Sequence, residues 1–174
     1  MTDKLRDILS EFEEFDIIGI TGNGKTVSIS SEFPDLDIKK RAAAILQEFL
    51  NNKERILDKH ISDILRILSI PPNIKGYGFL RYGIRTIVIA GTITSMTKEV
   101  YPGIARHYKV TASQVERAIR HAIEVSWSRI KPETANNLFG MNTFDRNYKP
   151  TNSELIALIV DKILVEGIID KAIS

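Results

Sequence analysis

The sequence predicts a mainly α-helical protein. An all-α domain of about six helices, built around a helix-turn-helix, is expected over residues 61–174, preceded by a small helix, β-hairpin, helix segment over residues 1–60. Three observations carry this reading. Thr111 with Gln114 and Thr151 with Glu154 are capping boxes, and each opens a run whose apolar residues recur every three or four positions. A proline-led basic segment, residues 102–109, stands directly before the first of these runs. Residues 16–20 and 26–30, on either side of Gly22-Asn23-Gly24, are rich in β-branched residues.

Taken in order, residues 3–15 form a helix with Leu5, Ile8, Leu9, Phe12 and Phe15 on one side. Residues 16–20 and 26–30 are the two strands of the hairpin. A long helix follows over residues 37–59, where Ile38, Ala42, Ile45, Phe49 and Ile56 approximate a short heptad seam; Asn51-Asn52-Lys53 is expected to weaken or break it. Helices over residues 61–69 and 77–90 are separated by Pro71-Pro72-Asn73. The segment 102–109 is a short helix with proline in its first turn, where the missing N–H does no harm, and Val110-Thr111 make a tight turn. In the next helix, starting from Thr111, Val115, Ala118, Ile119, Ala122, Ile123 and Trp127 form one apolar stripe. Glu116, Arg117, Arg120 and Glu124 fall outside it, while His121 and Trp127 are read as structural. A short helix near residues 133–139 and a final one turning Leu155, Ile156, Ile159, Ile163 and Leu164 inward complete the chain.

Composition excludes several function classes. No run of eighteen apolar residues exists and the charged N-terminus has no signal-peptide block, so a cytoplasmic protein away from the membrane is expected. Zero cysteines rule out disulfides and thiolate chemistry, and His60, His107 and His121 lack ligand spacing, so no metal is expected; no cofactor and no enzymatic role is expected either. The net charge of +2 is unevenly placed: nine basic against twelve acidic residues before position 61, and fifteen against ten after it. Residues 97–131 alone hold seven basic residues and three acidic ones, the local positive patch that phosphate contact requires.

Gly19-Ile20-Thr21-Gly22-Asn23-Gly24-Lys25-Thr26 satisfies the phosphate-loop pattern of nucleotide triphosphatases. That loop needs a helix after it, whose N-terminal amides hold the phosphates. Here Thr26-Val27-Ser28-Ile29-Ser30 alternates and favours a strand, so the match is judged false and no nucleotide site is expected.

Two helices joined by so short a turn, the second capped and basic, make a helix-turn-helix whose second helix enters the major groove. From the residues alone, Glu116 and Arg120 could equally be an i,i+4 ion pair on a solvated face. The segments IKGYGFLRYGI (74–84), GTITSMTKEVYPGIARHYKVTASQVERAIRHAIEVSWSR (91–129), NNLFG (136–140) and KPTNSELIALIVDK (149–162) resemble the DNA-binding effector domains of the stage-zero sporulation regulators, over roughly residues 61–166. The resemblance implies that Glu116, Arg117 and Arg120 read bases, the arginines toward guanine and the glutamate toward cytosine. Ser113 and Gln114 would meet phosphate with Lys98, Arg106 and Lys109 flanking, although surface cations of this kind need no function.

The same resemblance implies that the stretch 130–141 touches the sigma subunit of RNA polymerase, but residues 130–135 depart from the family pattern and only Asn136-Asn137-Leu138-Phe139-Gly140 keeps it. Residues 1–60 are too few for the phosphoacceptor receiver domain of the family, so a regulator indifferent to phosphorylation is expected. The N-terminal segment is expected to mediate a homodimer. Two classes follow: a sequence-specific regulator of double-stranded DNA, or an interaction protein that forms mixed dimers with a regulator or binds RNA polymerase without reading DNA.

Overall fold

The computed structural model describes residues 36–92, 95–142, 144, 145 and 148–167. The expected helix over residues 3–15, the hairpin and the Gly19 to Thr26 loop lie outside the described residues, as do the side chains of Ile38, Ala42, Ile45 and Phe49. Among the described residues there are six α-helices, one π-helical turn and no strand.

Helix α1 runs unbroken over Leu36–Ile67. This corrects the expected break at Asn51-Asn52-Lys53 and the separate helix at 61–69. Asparagine breaks helices when its side chain competes for the backbone. Here Gln47 donates to Asn51 Oδ1 at 3.1 Å and Arg55 to Asn52 Oδ1 at 3.3 Å, so both amides are occupied by neighbours on the helix surface. No glycine or proline interrupts the run before Pro71. The helix ends where Ser69 takes a left-handed conformation, φ 60°, ahead of the two prolines.

Residues Leu57–Ile168 form one compact unit. Its central helix, α2, Lys75–Ala90, buries Phe79, Leu80, Ile84, Ile87 and Val88, and stops at Gly91, whose φ of 69° suits glycine. A π-helical turn, Met96–Val100, capped by Ser95, leads straight into α3, Tyr101–Tyr108, with Pro102 in its first turn. Then come α4, Ala112–Trp127, α5, Pro132–Phe139, and α6, Asn152–Val165. Helix α2 packs against α3, α4 and α6, and α4 packs against α3 and α6 as well. The core is completed by Leu57, Ile61, Ile64, Leu65, Leu68 and Ile70, and by Leu155, Ile156, Ile159, Val160 and Ile163 of α6. Each such side chain contributes about 1.5–3 kcal/mol on burial.

Two glycines set how closely α2 meets its neighbours. A Cβ built on Gly76 would lie 2.2 Å from the Ala118 carbonyl oxygen and 2.7 Å from Ala122 Cβ, so α2 and α4 cross with backbone nearly on backbone. At Gly83 the corresponding atom would stand 2.9 Å from Ile104 Cδ1 of α3.

Two side-chain assignments change. Leu164, expected inward, is 45 % exposed: at about 100° per residue it falls outside the arc of Leu155, Ile156, Ile159 and Ile163, whereas Val160 falls at its buried edge. His121, read as structural, stands exposed on α4, with no hydrogen bond or ring contact to it among the described residues. Trp127 does act structurally: its Nε1 donates to the Tyr148 carbonyl at 3.0 Å and its ring meets Phe144 edge-on.

At the C-terminal end of α6, Glu166 accepts from Lys162 at 2.6 Å and lies 3.1 Å from His60 Nε2 of α1. The Lys162 hydrogen bond, foremost, draws its carboxyl below the ordinary value against the opposing effect of burial, with His60 contributing less in the same direction as Lys162.

Candidate nucleic-acid interface

The site is assembled around α4. Thr111 accepts from the Gln114 amide at 3.2 Å while Gln114 Oε1 accepts from the Thr111 amide at 2.9 Å, so both bonds of the capping box form. Before it, Lys109 adopts a left-handed conformation, φ 55° and ψ 47°, and Val110 N–H returns to the Ala105 carbonyl at 3.0 Å. The reversal between the two helices therefore pivots on Lys109, one residue earlier than the Val110-Thr111 turn expected.

The buried side of α4 is held by Val115, Ile119, Ala122 and Ile123. Ser126 is also fully buried on that stripe, and its hydroxyl donates to the Leu68 carbonyl just beyond the end of α1. A serine among apolar positions gives no periodic signal; its reason is the orphan carbonyl it serves. Opposite lie Ser113, Glu116, Arg117, Arg120 and Glu124, within an arc of about 100° at 3.6 residues per turn. Arg117 and Arg120 are exposed and Glu116 is half-exposed. Arg120 donates to Glu116 at 2.9 Å, and Arg117 Nε reaches back to the Ser113 carbonyl at 3.3 Å. The ion pair weighed from sequence thus exists, but its side chains are 61 % and 43 % exposed, and pairs of that kind are worth only about 0.3–0.5 kcal/mol. A nucleic acid able to offer better partners can displace it.

Beside this face is a cleft of about 280 Å³ whose walls include Thr97, Tyr101, Glu116, Arg120, Lys149 and Ser153. Lys109, Ser113 and Gln114 are exposed around the turn and the start of α4, and Lys98 is exposed on the π-helical turn ahead of α3. Gln114 has its carbonyl oxygen committed to the cap, leaving only its NH₂ for a partner. Arg106 lines a second cleft, of about 530 Å³, with Tyr82, Thr86 and His107, which shares no lining residue with the first.

Residues 61–163, more than half of the chain, match the family described as sporulation initiation factor Spo0A, C terminal. The chain belongs to this family. The Spo0A C-terminal domain is the DNA-binding effector domain of a sporulation regulator, so a DNA-binding, transcription-regulating role follows for this chain at that level. Among the described residues no helix is long and apolar enough to cross a membrane, and no group of three or more His, Asp or Glu could hold a metal.

The family segments have physical reasons here. In NNLFG, Asn136 donates to the Phe144 carbonyl and accepts from its amide, both at 2.9 Å, while Gly140 ends α5 at φ 65°. In KPTNSE, Thr151 and Glu154 form the second capping box. Asn152, only 6 % exposed, donates from Nδ2 to the Glu116 carbonyl at 3.0 Å. That bond from α6 onto α4 was invisible in the sequence, where Asn152 reads as an ordinary first-turn residue.

The second box makes an acid-sensitive joint. The Thr151 backbone N–H, at 2.8 Å from Glu154 Oε2, is the main cause holding the Glu154 carboxyl below its ordinary 4.5, with the Thr151 hydroxyl adding to it. A depressed carboxyl stabilises the fold above its unfolded value and loses that contribution as pH falls through the folded one. Thermal midpoints followed between pH 6 and 3 should fall, and Glu154→Gln should flatten the acid limb, since glutamine keeps the box at every pH, as Gln114 does. An identical acid limb in both proteins would remove Glu154 as a cause.

Proposed function

We propose that this chain is a sequence-specific regulator of double-stranded DNA that reads its site through Glu116, Arg117 and Arg120, needs no phosphoacceptor receiver domain to do so, and acts by binding and not by catalysis. The observation that carries the reading is the exposed arc of α4, which puts two arginines and a carboxylate within its first three turns, on a helix fixed at its start by the capping box. Arginine matches guanine O6 and N7 in a bidentate manner, and a carboxylate accepts from a cytosine amino group. Lys98, Lys109, Ser113 and Gln114 take the phosphate contacts that set register, with Arg106 as an outlying one. Association as a homodimer through residues 1–60, and contact with the RNA polymerase sigma subunit through the α5 region, complete the proposal.

Fluorescence anisotropy tests it. A duplex carrying the sporulation regulator's box is compared with a scrambled duplex at two salt concentrations, without a phosphodonor. Tight, box-selective binding is expected, roughly 10³-fold or more over the scrambled sequence. Weak binding that ignores sequence and collapses with salt would favour an interaction protein that pairs with a regulator or the polymerase.

A further inference from the structure

We infer that residues 148–153 form a second DNA-backbone contact beside the recognition helix, with Lys149 as the phosphate-binding cation and Asn152 as the residue that positions it. This inference rests on the DNA-binding reading above. The segment is fastened along α4 at three points. Asn152 Nδ2 donates to the Glu116 carbonyl at 3.0 Å, Lys149 Nζ to Glu124 Oε1 at 3.1 Å, and Trp127 Nε1 to the Tyr148 carbonyl at 3.0 Å. Pro150 is buried between the outer attachments. Lys149 is therefore held by the fold beside the exposed arc, unlike a surface lysine on a free loop, and costs little ordering on binding.

Lys149 and Arg120 line the same 280 Å³ cleft, with Thr97 and Ser153 offering hydroxyls. Glu116 and Glu124 face it too, so each cation starts out paired with a carboxylate. When α4 occupies the major groove, the strand bordering the groove runs alongside the helix, where the cleft opens. The Lys149–Glu124 pair is nearly half-exposed on both sides, at 45 % and 48 %, and is weak on that account. A phosphate takes the ammonium from Glu124, and Glu124 becomes an internal competitor that sets the strength of the contact.

Opposite signs in two variants distinguish this from a mere structural brace. By counterion release, Lys149→Gln should weaken binding to box and scrambled duplexes alike, about fivefold at 0.15 M salt, and reduce the slope of log affinity against log salt by about 0.9. Lys149→Arg should keep the slope. Glu124→Gln should tighten binding to both duplexes by about twofold or more, since it frees the cation and removes a charge that repels phosphate. If Lys149 only braces the fold, both neutralising variants lower the thermal midpoint, the salt slope stays at the wild-type value and Glu124→Gln binds no tighter; that result overturns the inference. Wild-type protein that binds without preferring the box would overturn base reading alone, whereas wild-type protein that binds neither duplex would overturn both.

Discussion

Gly76→Ala is expected to cost about 3 kcal/mol or more of stability, at or beyond the upper end for overpacked cores. The added methyl would meet the Ala118 carbonyl oxygen at 2.2 Å and Ala122 Cβ at 2.7 Å. Neither obstacle is the far end of a flexible side chain, so relief requires α2 and α4 to move apart. That movement would open the packing of Leu80 and Ile84 on one side and Ile119 and Ala122 on the other, all 0 % exposed. Gly103→Ala is the control: nothing lies within 4 Å of its Cβ position, it sits inside α3, and alanine should stabilise by about 0.5–1 kcal/mol. Urea midpoints of the two variants should therefore move in opposite directions. A Gly76→Ala protein as stable as wild type would show that the helices do not cross this closely.

Arg117→Ala should lose about 1–3 kcal/mol on the specific duplex and discriminate less between sequences, because a base-edge contact disappears. Lys109→Ala should weaken all sequences alike and lower the salt slope by about one. Arg117 is the sharper choice over Arg120, since its only bond among the described residues is to the Ser113 carbonyl of its own helix, whereas removing Arg120 also strands Glu116. Equal loss on specific and random DNA for Arg117→Ala, measured by anisotropy, would falsify the base-reading role.

Local signals in this sequence spoke for local structure. Thr111 with Gln114 and Thr151 with Glu154 announced both capped helices, and in the structure each box makes both of its bonds. Pro102 marked the start of α3, and the spacing of Val115, Ile119, Ala122 and Ile123 gave the buried side of α4. Features that depend on a particular partner, near or far along the chain, or that carry no periodic signal, were illegible. Ser126 is buried to serve the Leu68 carbonyl, a partner 58 positions away, so an apolar period gives it no place in the stripe. Asn51 and Asn52 looked like a break because propensity counts a side chain without knowing that Gln47 and Arg55 hold it. The π-helical turn at Met96–Val100 has no apolar period, and only Ser95, accepting from the Lys98 amide at 3.4 Å, could have signalled it. The exposed arc with Glu116, Arg117 and Arg120 was legible because exposure is what remains once the stripe is drawn. The ledge at Tyr148 to Asn152 was not, since it exists only through its bonds to α4.

Asn152 follows Glu116 by 36 positions, yet it fixes the backbone of the helix proposed to meet the bases. During synthesis the ribosome therefore releases α2 and α4 well before the helix that covers them. Until α6 emerges, its five buried apolar residues Leu155, Ile156, Ile159, Val160 and Ile163 are missing from the core, and α2 and α4 both lack a packing partner. A nascent or prematurely terminated chain then carries every proposed base-reading side chain but no stable scaffold to present them. On the DNA-binding reading proposed above, copies that lack α6 are expected to occupy no promoter, and competence to read DNA is expected to arrive with α6.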